Sequence, residues 1–344
     1  MNTSTMPELT ISKFTPLEYL QMALAVSCIG DKITWEERLI YTSNIKNTPY
    51  DDLLNNAKDK FMFIKLYEVY QKVIEAQEQG VESIPAQFMV MLDATSSNAQ
   101  IASVLMGCEV SARNTNAINT GKRENLHGKI LKYVKESFGV DLDPDDTKTA
   151  IVSALFGSVD RPEKLLGKGT KELKAFLSAL DEFVPASIKL LRITKSIWDR
   201  EALRYRWVMP DGFEVVYNVM ATKTDNLSIP GIPEVSYRSK QNMPLNRSVA
   251  LAAHVVHSVE AFIVRTIKGK FSRKSIITNH DCFATSPIYA QKLREDYKEI
   301  MIDIANSDLL QNILRQITNN PNLVFNKQDK NMYKLMYDSE YMLS

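Results

Sequence analysis

Glycine is scarce in this chain, 12 residues in 344, and neither G-x-G-x-x-G nor G-x-x-x-x-G-K-[ST] occurs. That argues against the two common backbone cradles for phosphate, the dinucleotide fold and the P-loop. No apolar run approaches the roughly 18 residues needed to cross a bilayer. The first residues, MNTSTMPELT, lack the basic-then-apolar order of a secretory signal. The three cysteines, Cys28, Cys108 and Cys282, are odd in number and form no C-x-x-C pair. They point to reduced thiols in a cytoplasmic, soluble protein without a membrane partner. With a net charge of only +1, the chain as a whole does not advertise affinity for polyanions.

What is present is an ordinary globular composition, 44% apolar and 24% charged, long enough for one large or two moderate domains. The charge is unevenly spread. RTIKGKFSRK (265–274) carries five cations and no acid, and KLLGKGTKELK (164–174) carries four lysines against one glutamate. Each reads either as a solvated helix face or as a strip that grips a polyanion. Apolar spacing near 3.6 predicts helices over 15–28, 58–79, 97–107, 125–138, 145–157, 171–202, 246–268 and 289–317. FMVML (88–92) reads as a buried strand. RYRWVM (204–209) and FEVVYNV (213–219) read as a hairpin across Pro210-Asp211-Gly212, and SIIT with CFAT as another across Asn279-His280-Asp281. The expected fold class is α+β, a small antiparallel sheet beneath many helices.

Two aspartates end apolar strands, Asp93 and Asp281. Asn279, His280 and Asp281 are ordinary turn residues. If the two strands are neighbours, however, both carboxylates leave the same edge and repel unless a cation lies between them. Hard oxygen ligands of this kind suit Mg²⁺ shared with substrate phosphates, and a pair of such ions suits in-line phosphoryl transfer. DDTKTAIVSALFGS (145–158) adds a helix with Asp145 and Asp146 as cap candidates and Lys148, Val152 and Phe156 along one face. A lysine one turn from a helix N-terminus is electrostatically unhelpful unless an anion docks there. The plain alternative is a solvent-facing lysine and a core phenylalanine. A rival site is His254, His257 and Glu260, whose spacing could carry Zn²⁺ or Fe²⁺. It differs from H-E-x-x-H and lacks further ligands, so core or substrate-contacting histidines are the favoured reading.

Taken in order, IGDKITWEER (29–38), MLDATSSNAQ (91–100), TKTAIVSALFG (147–157), WVMPDGF (207–213), HVVHSVE (254–260), NHDCFAT (279–285) and the final SEYMLS resemble the catalytic half of the phage and mitochondrial single-subunit DNA-directed RNA polymerases. The resemblance implies a right-hand polymerase with palm at 1–109 and 258–344, fingers at 110–257, and no thumb or N-terminal domain. It implies two Mg²⁺ ions held by Asp93, Asp281 and the Ala94 carbonyl, and catalytic support from Lys148 and His280. Lys32 and Lys148 would hold the triphosphate, and Phe156, Gly157 and His257 would contact the incoming nucleotide. DNA template, RNA transcript and NTPs would be the partners, in the cytoplasm of an infected bacterial host.

Three departures matter. Pro144 stands where the family has an arginine, and Phe156 where it has a ribose-sensing tyrosine. The chain also starts almost at the palm, as in two-chain phage polymerases, so a second polypeptide is expected. A family-A-like DNA polymerase is an alternative, although Ser96, Ser97 and Asn98 replace the glutamate expected there. A non-catalytic binding subunit that kept the fold is the other. The stretch 221–244, rich in Pro, Ser and Asn, is either a promoter-contacting loop or a surface excursion.

Overall fold

The computed structural model describes residues 9–85, 88–231, 234–246, 248, 250–272 and 274–344. Four helices come first, α1 (Pro16–Ile29), α2 (Trp35–Asn44), α3 (Tyr50–Asn56) and α4 (Lys60–Glu78). Thr15 and Thr34 cap α1 and α2 in the same way. Each accepts from the backbone of a glutamate three residues on, Glu18 or Glu37, whose carboxylate bonds back to the cap. The exchange satisfies two amides that a helix start leaves bare. Strand β1 (Val90–Asp93) leads into α5 (Ser97–Met106), α6 (Glu109–Asn114), α7 (Leu126–Phe138), α8 (Pro144–Leu155), α9 (Asp160–Leu166), α10 (Lys171–Phe183) and α11 (Pro185–Ser196). Two hairpins follow, β2 (Arg204–Val208) with β3 (Glu214–Asn218), and β4 (Met220–Leu227) with β5 (Val235–Asn242). The chain then runs through α12 (Leu251–Lys270), β6 (Ile276–Asn279), β7 (Cys282–Thr285), α13 (Pro287–Asn306) and α14 (Leu309–Thr318).

The α+β expectation holds in this mixed, mainly helical architecture with small antiparallel sheets. Several boundaries differ for local reasons. The predicted helix 171–202 is two helices, because Pro185 has no amide hydrogen to continue α10 and starts α11 instead. The predicted helix 289–317 breaks at Ser307, which is extended. The cap of α8 is Asp143, accepting from Asp145 and Asp146, and not either of those two residues. The stretch 221–244 is largely the exposed hairpin β4–β5. Residues 232 and 233 of that stretch lie outside the described residues, as does Arg273 of the basic strip.

The sheet that positions the site has the order β1-β7-β6, with the last of the three strands in the chain in the middle. Val90 and Leu92 of β1 point into the core while Met91 and Asp93 face out. Two clusters of buried apolar side chains carry the fold. One gathers α1, α5, α12, α13 and the three-stranded sheet around residues such as Leu24, Val104, Val259, Phe283 and Met301. The other lies within residues 126–184 of α7 to α10, plus Ala99, and includes Ile130, Phe176 and Leu180.

Candidate active site at the β1–β7 edge

Asp93 lies opposite Cys282 in the antiparallel register, and Asn279 also pairs with Cys282. His280 and Asp281 are therefore the two residues of a tight hairpin loop, and Asp281 comes directly after the position that Asp93 faces. The Ala94 amide donates to the Asp281 carbonyl at 3.1 Å and locks the strand ends together. His280 has φ of 58°. That left-handed conformation usually falls to glycine, and a histidine there stores about 1–3 kcal/mol of backbone strain. Burial, and then the charge of Asp281, push the Asp93 carboxyl up to about 6. Burial and then Asp93 and Asp281 push the Cys282 thiol up to about 11. Both shifts have the same origin, concentrated negative charge in a partly enclosed place.

The β1 end is clasped from its other side. Ala94 bridges Leu343, Asp93 donates to the Ser344 carbonyl at 3.4 Å, and Ser344 donates back to the Asp93 carbonyl at 3.0 Å. Thr95 donates through its amide to the Met342 carbonyl at 3.2 Å and through Oγ1 to the Tyr341 carbonyl at 2.6 Å. Fully buried Gln100 donates to the carbonyls of Thr115 and Met342 and accepts from Tyr297. Tyr297 is itself pushed up by burial, then by Asp281, Glu260 and Asp93. SEYMLS was identifiable as a tail resembling the family's. That its backbone extends the β1–β7 edge could not be read, because strand pairing across so long a separation leaves no local trace.

On the opposite side, α12 carries His257 and Glu260 to the same turn. His280 Nδ1 lies 2.9 Å from Asp281 Oδ1 and 3.2 Å from Glu260 Oε1. The Asp281 hydrogen bond is the largest cause of a raised His280 pKa, so the imidazolium is favoured. Burial raises the Glu260 pKa, and the Ser97 hydroxyl bonds this carboxylate. The rival histidine pair comes apart. His254 stacks on Tyr217 at 4.1 Å, and the group with metal-ligating reach is His257, Glu260 and His280. The hairpin at 207–213 braces this helix, since buried Trp207 donates to Ser258 at 3.1 Å.

Phe156 caps the C-terminal end of α8 and packs its ring 4.9 Å from that of His257. It lies half-buried outside both apolar cores. Lys148, Val152 and Phe156 thus form a row on the open side of α8, with Lys148 and Val152 exposed. Gly157 and Phe156 line a cleft of about 700 Å³ with Lys195, Trp198, Arg200 and Ser248. Lys32 borders a second cleft of about 160 Å³ together with Asp93, Ala94, Ser96 and Arg123. The charges of Lys32 and Lys148 both bear on His127, whose pKa is lowered first by burial. His127 Nε2 donates to the Pro144 carbonyl at 2.9 Å. Arg123 joins Asp31 at 2.9 Å and the Ser344 hydroxyl at 3.1 Å.

The sequence reading missed His127 and Arg123. Only Pro144, standing where the resembled family has an arginine, gave a reason to look for them. The basic strip 265–274 is less free than its composition suggests. Arg265 pairs with Asp211 and lies over Phe213, and Lys270 pairs with Asp296 and Glu299.

The family model for DNA-dependent RNA polymerase matches residues 164–339. The chain belongs to the DNA-dependent RNA polymerase family. It is therefore an enzyme of the nucleotidyl-transfer class. The matched stretch includes α12 and the β6–β7 turn with Asp281, while Asp93 reaches the same edge through the pairing of β1 with β7. No curated protein matches the chain. Among the described residues, no helix is long and apolar enough to cross a membrane.

Proposed function

We propose that this chain is the catalytic half of a phage- or mitochondrial-type RNA polymerase, palm at 1–109 and 258–344 with fingers at 110–257, that extends an RNA 3′ end with NTPs on a DNA template. The observation that carries the proposal is the meeting of Asp93 and Asp281 at adjacent strand ends, where the charge of Asp281 adds to burial in disfavouring the Asp93 carboxylate. Such a donor set fits Mg²⁺, since hard carboxylate oxygens suit that ion and a cation would relieve the repulsion. Asp93, Asp281 and the Ala94 carbonyl would hold it. When bound, a pair of such ions supplies activation of the attacking hydroxyl and neutralisation of the departing pyrophosphate.

The chain's own side chains do the rest. Lys148 and Lys32, whose charges both bear on His127, present positive charge to the triphosphate. Phe156 and Gly157 offer a surface for the base and sugar, and His257 backs Phe156. His280, pinned in its strained turn, fixes the Asp281 carboxylate through a hydrogen bond. A partner polypeptide is part of the proposal. Phe61, 90% exposed, and Ile64 one turn later give α4 an apolar face that such a chain could cover.

Primer extension on an RNA–DNA hybrid tests the proposal, with NTPs or dNTPs and with or without co-purified chains. Asp281→Asn is expected to lower nucleotide addition by about 10³-fold or more, roughly 4 kcal/mol of barrier. It should leave hybrid binding within about 2-fold, a change of only ~0.4 kcal/mol. Unchanged addition in Asp281→Asn would refute the assignment. Binding without extension by every preparation would favour the non-catalytic reading.

A further inference from the structure

Glu260 presents a problem that polymerase chemistry leaves unsolved. The residue is 8% exposed, yet its Oε1 has no hydrogen-bond partner among the described residues. An unpaired buried polar atom costs about 1–3 kcal/mol, and a charged one more. Its nearest candidate, His280 Nδ1 at 3.2 Å, is hydrogen-bonded to Asp281 instead. The aspartates nearby contribute only like charge. The His280 imidazolium is thus shared with Asp281, and a metal ion would bond this oxygen directly.

The surrounding donors narrow the choice. His257 and Glu260 stand three residues apart on α12 and so share a face. His280 arrives from the hairpin loop, and one ligand atom from each of the three lies within 4.8 Å of the others. Imidazole nitrogens select Zn²⁺ and similar borderline ions over Mg²⁺. Two histidines with one glutamate form a three-ligand set that leaves a fourth position open. Zinc bonds of ~2.0–2.1 Å put tetrahedral ligand atoms about 3.3 Å apart, so the side chains need to close by at most ~1.5 Å. His257 and His280 are exposed and can move, while Glu260 is fixed by burial.

We propose that His257, Glu260 and His280 form a site for one Zn²⁺-class divalent ion, separate from the Asp93–Asp281 pair, and that filling it slows nucleotide addition. Its effect on addition rests on the polymerase reading, whereas its occupancy does not. Drawing the His280 ring toward His257 and Glu260 pulls it off the Asp281 carboxylate it bonds, and that carboxylate loses its brace.

Co²⁺, whose visible absorption reports tetrahedral nitrogen and oxygen ligands, is the probe for the full-length chain. Wild type and Asp93→Asn are expected to give the same Co²⁺ spectrum, displaced by Zn²⁺. Glu260→Gln and His257→Ala should bind at least ~10-fold more weakly. His257 is at the surface, so its substitution keeps the test valid if the Glu260 variant fails to fold. Absence of a tetrahedral spectrum in wild type, or equal Co²⁺ affinity in His257→Ala, overturns the site. At saturating Mg²⁺, Zn²⁺ should inhibit primer extension by wild type and do so at least ~10-fold less potently in His257→Ala. A Co²⁺ site that persists while no preparation extends a primer would count against the polymerase reading alone.

Discussion

The two apolar cores are built by opposite strategies. The second core draws almost entirely on residues 126–184, from four successive helices, and its buried members are aliphatic side chains and Phe176. The first core recruits segments near both ends of the sequence. Buried Arg294 donates to the Ser12 carbonyl at 3.1 Å, to Tyr19 at 3.2 Å and to Glu340 at 3.0 Å, while its guanidinium lies 4.6 Å over Trp35. Trp35 in turn stacks on Tyr341, and the segment just beyond pairs with Asp93. Helices with local contacts can close without help from distant sequence. The β1–β7 edge is closed by segments far apart in the sequence.

That contrast can be broken first at Arg294. Removing one partner of a buried ion pair leaves an uncompensated charge, so Arg294→Met is expected to cost about 3–5 kcal/mol in urea unfolding. Nucleotide addition should fall with it as the clasp on Asp93 loosens. Full activity in the folded variant would separate the tail from the site. In the core of residues 126–184, Phe176→Ala opens a cavity worth about 3–5 kcal/mol. Hydrogen exchange should then quicken over α7 to α10 while β1 and β7 stay protected, and equal loss everywhere would merge the two regions.

A smaller effect probes where the regions meet. Phe156→Tyr restores a hydroxyl beside His257, and one neutral hydrogen bond of about 0.5–1.5 kcal/mol would raise preference for NTPs over dNTPs by roughly 2–12-fold. Unchanged preference would mean that Phe156 does not report on ribose. A separate, pH-dependent effect belongs to the buried lysines of the first core. Burial lowers Lys298 from 10.5 to about 8, and Lys327 likewise. Between those values the unfolded chain binds more protons, so stability should rise with pH across that window, with a shallower rise in Lys298→Met. Urea midpoints measured at about pH 7 and about pH 10 check the sign.

The same contrast explains what the sequence made legible. Helices α1, α4, α5, α7 and α8 followed from their periodicity, and β1, β6 and β7 from short apolar runs with turn residues. Asp93 and Asp281 could be named because each ends such a run. The break at Pro185 was visible in principle but was overridden by continuous apolar spacing on both sides. The clasp at Ser344, the turn of Glu260 toward His280 and the approach of His127 to Lys32 and Lys148 were not legible. Each depends on pairing between segments far apart in the chain, which periodicity does not encode.

Anomalous diffraction from crystals soaked with Mn²⁺ and a non-hydrolysable NTP tests the central claim most directly. The account predicts metal peaks bridging the Asp93 and Asp281 carboxylates and touching the triphosphate, lost in Asp93→Asn. Metal bound elsewhere with neither carboxylate in contact, while the nucleotide is seated, would contradict it.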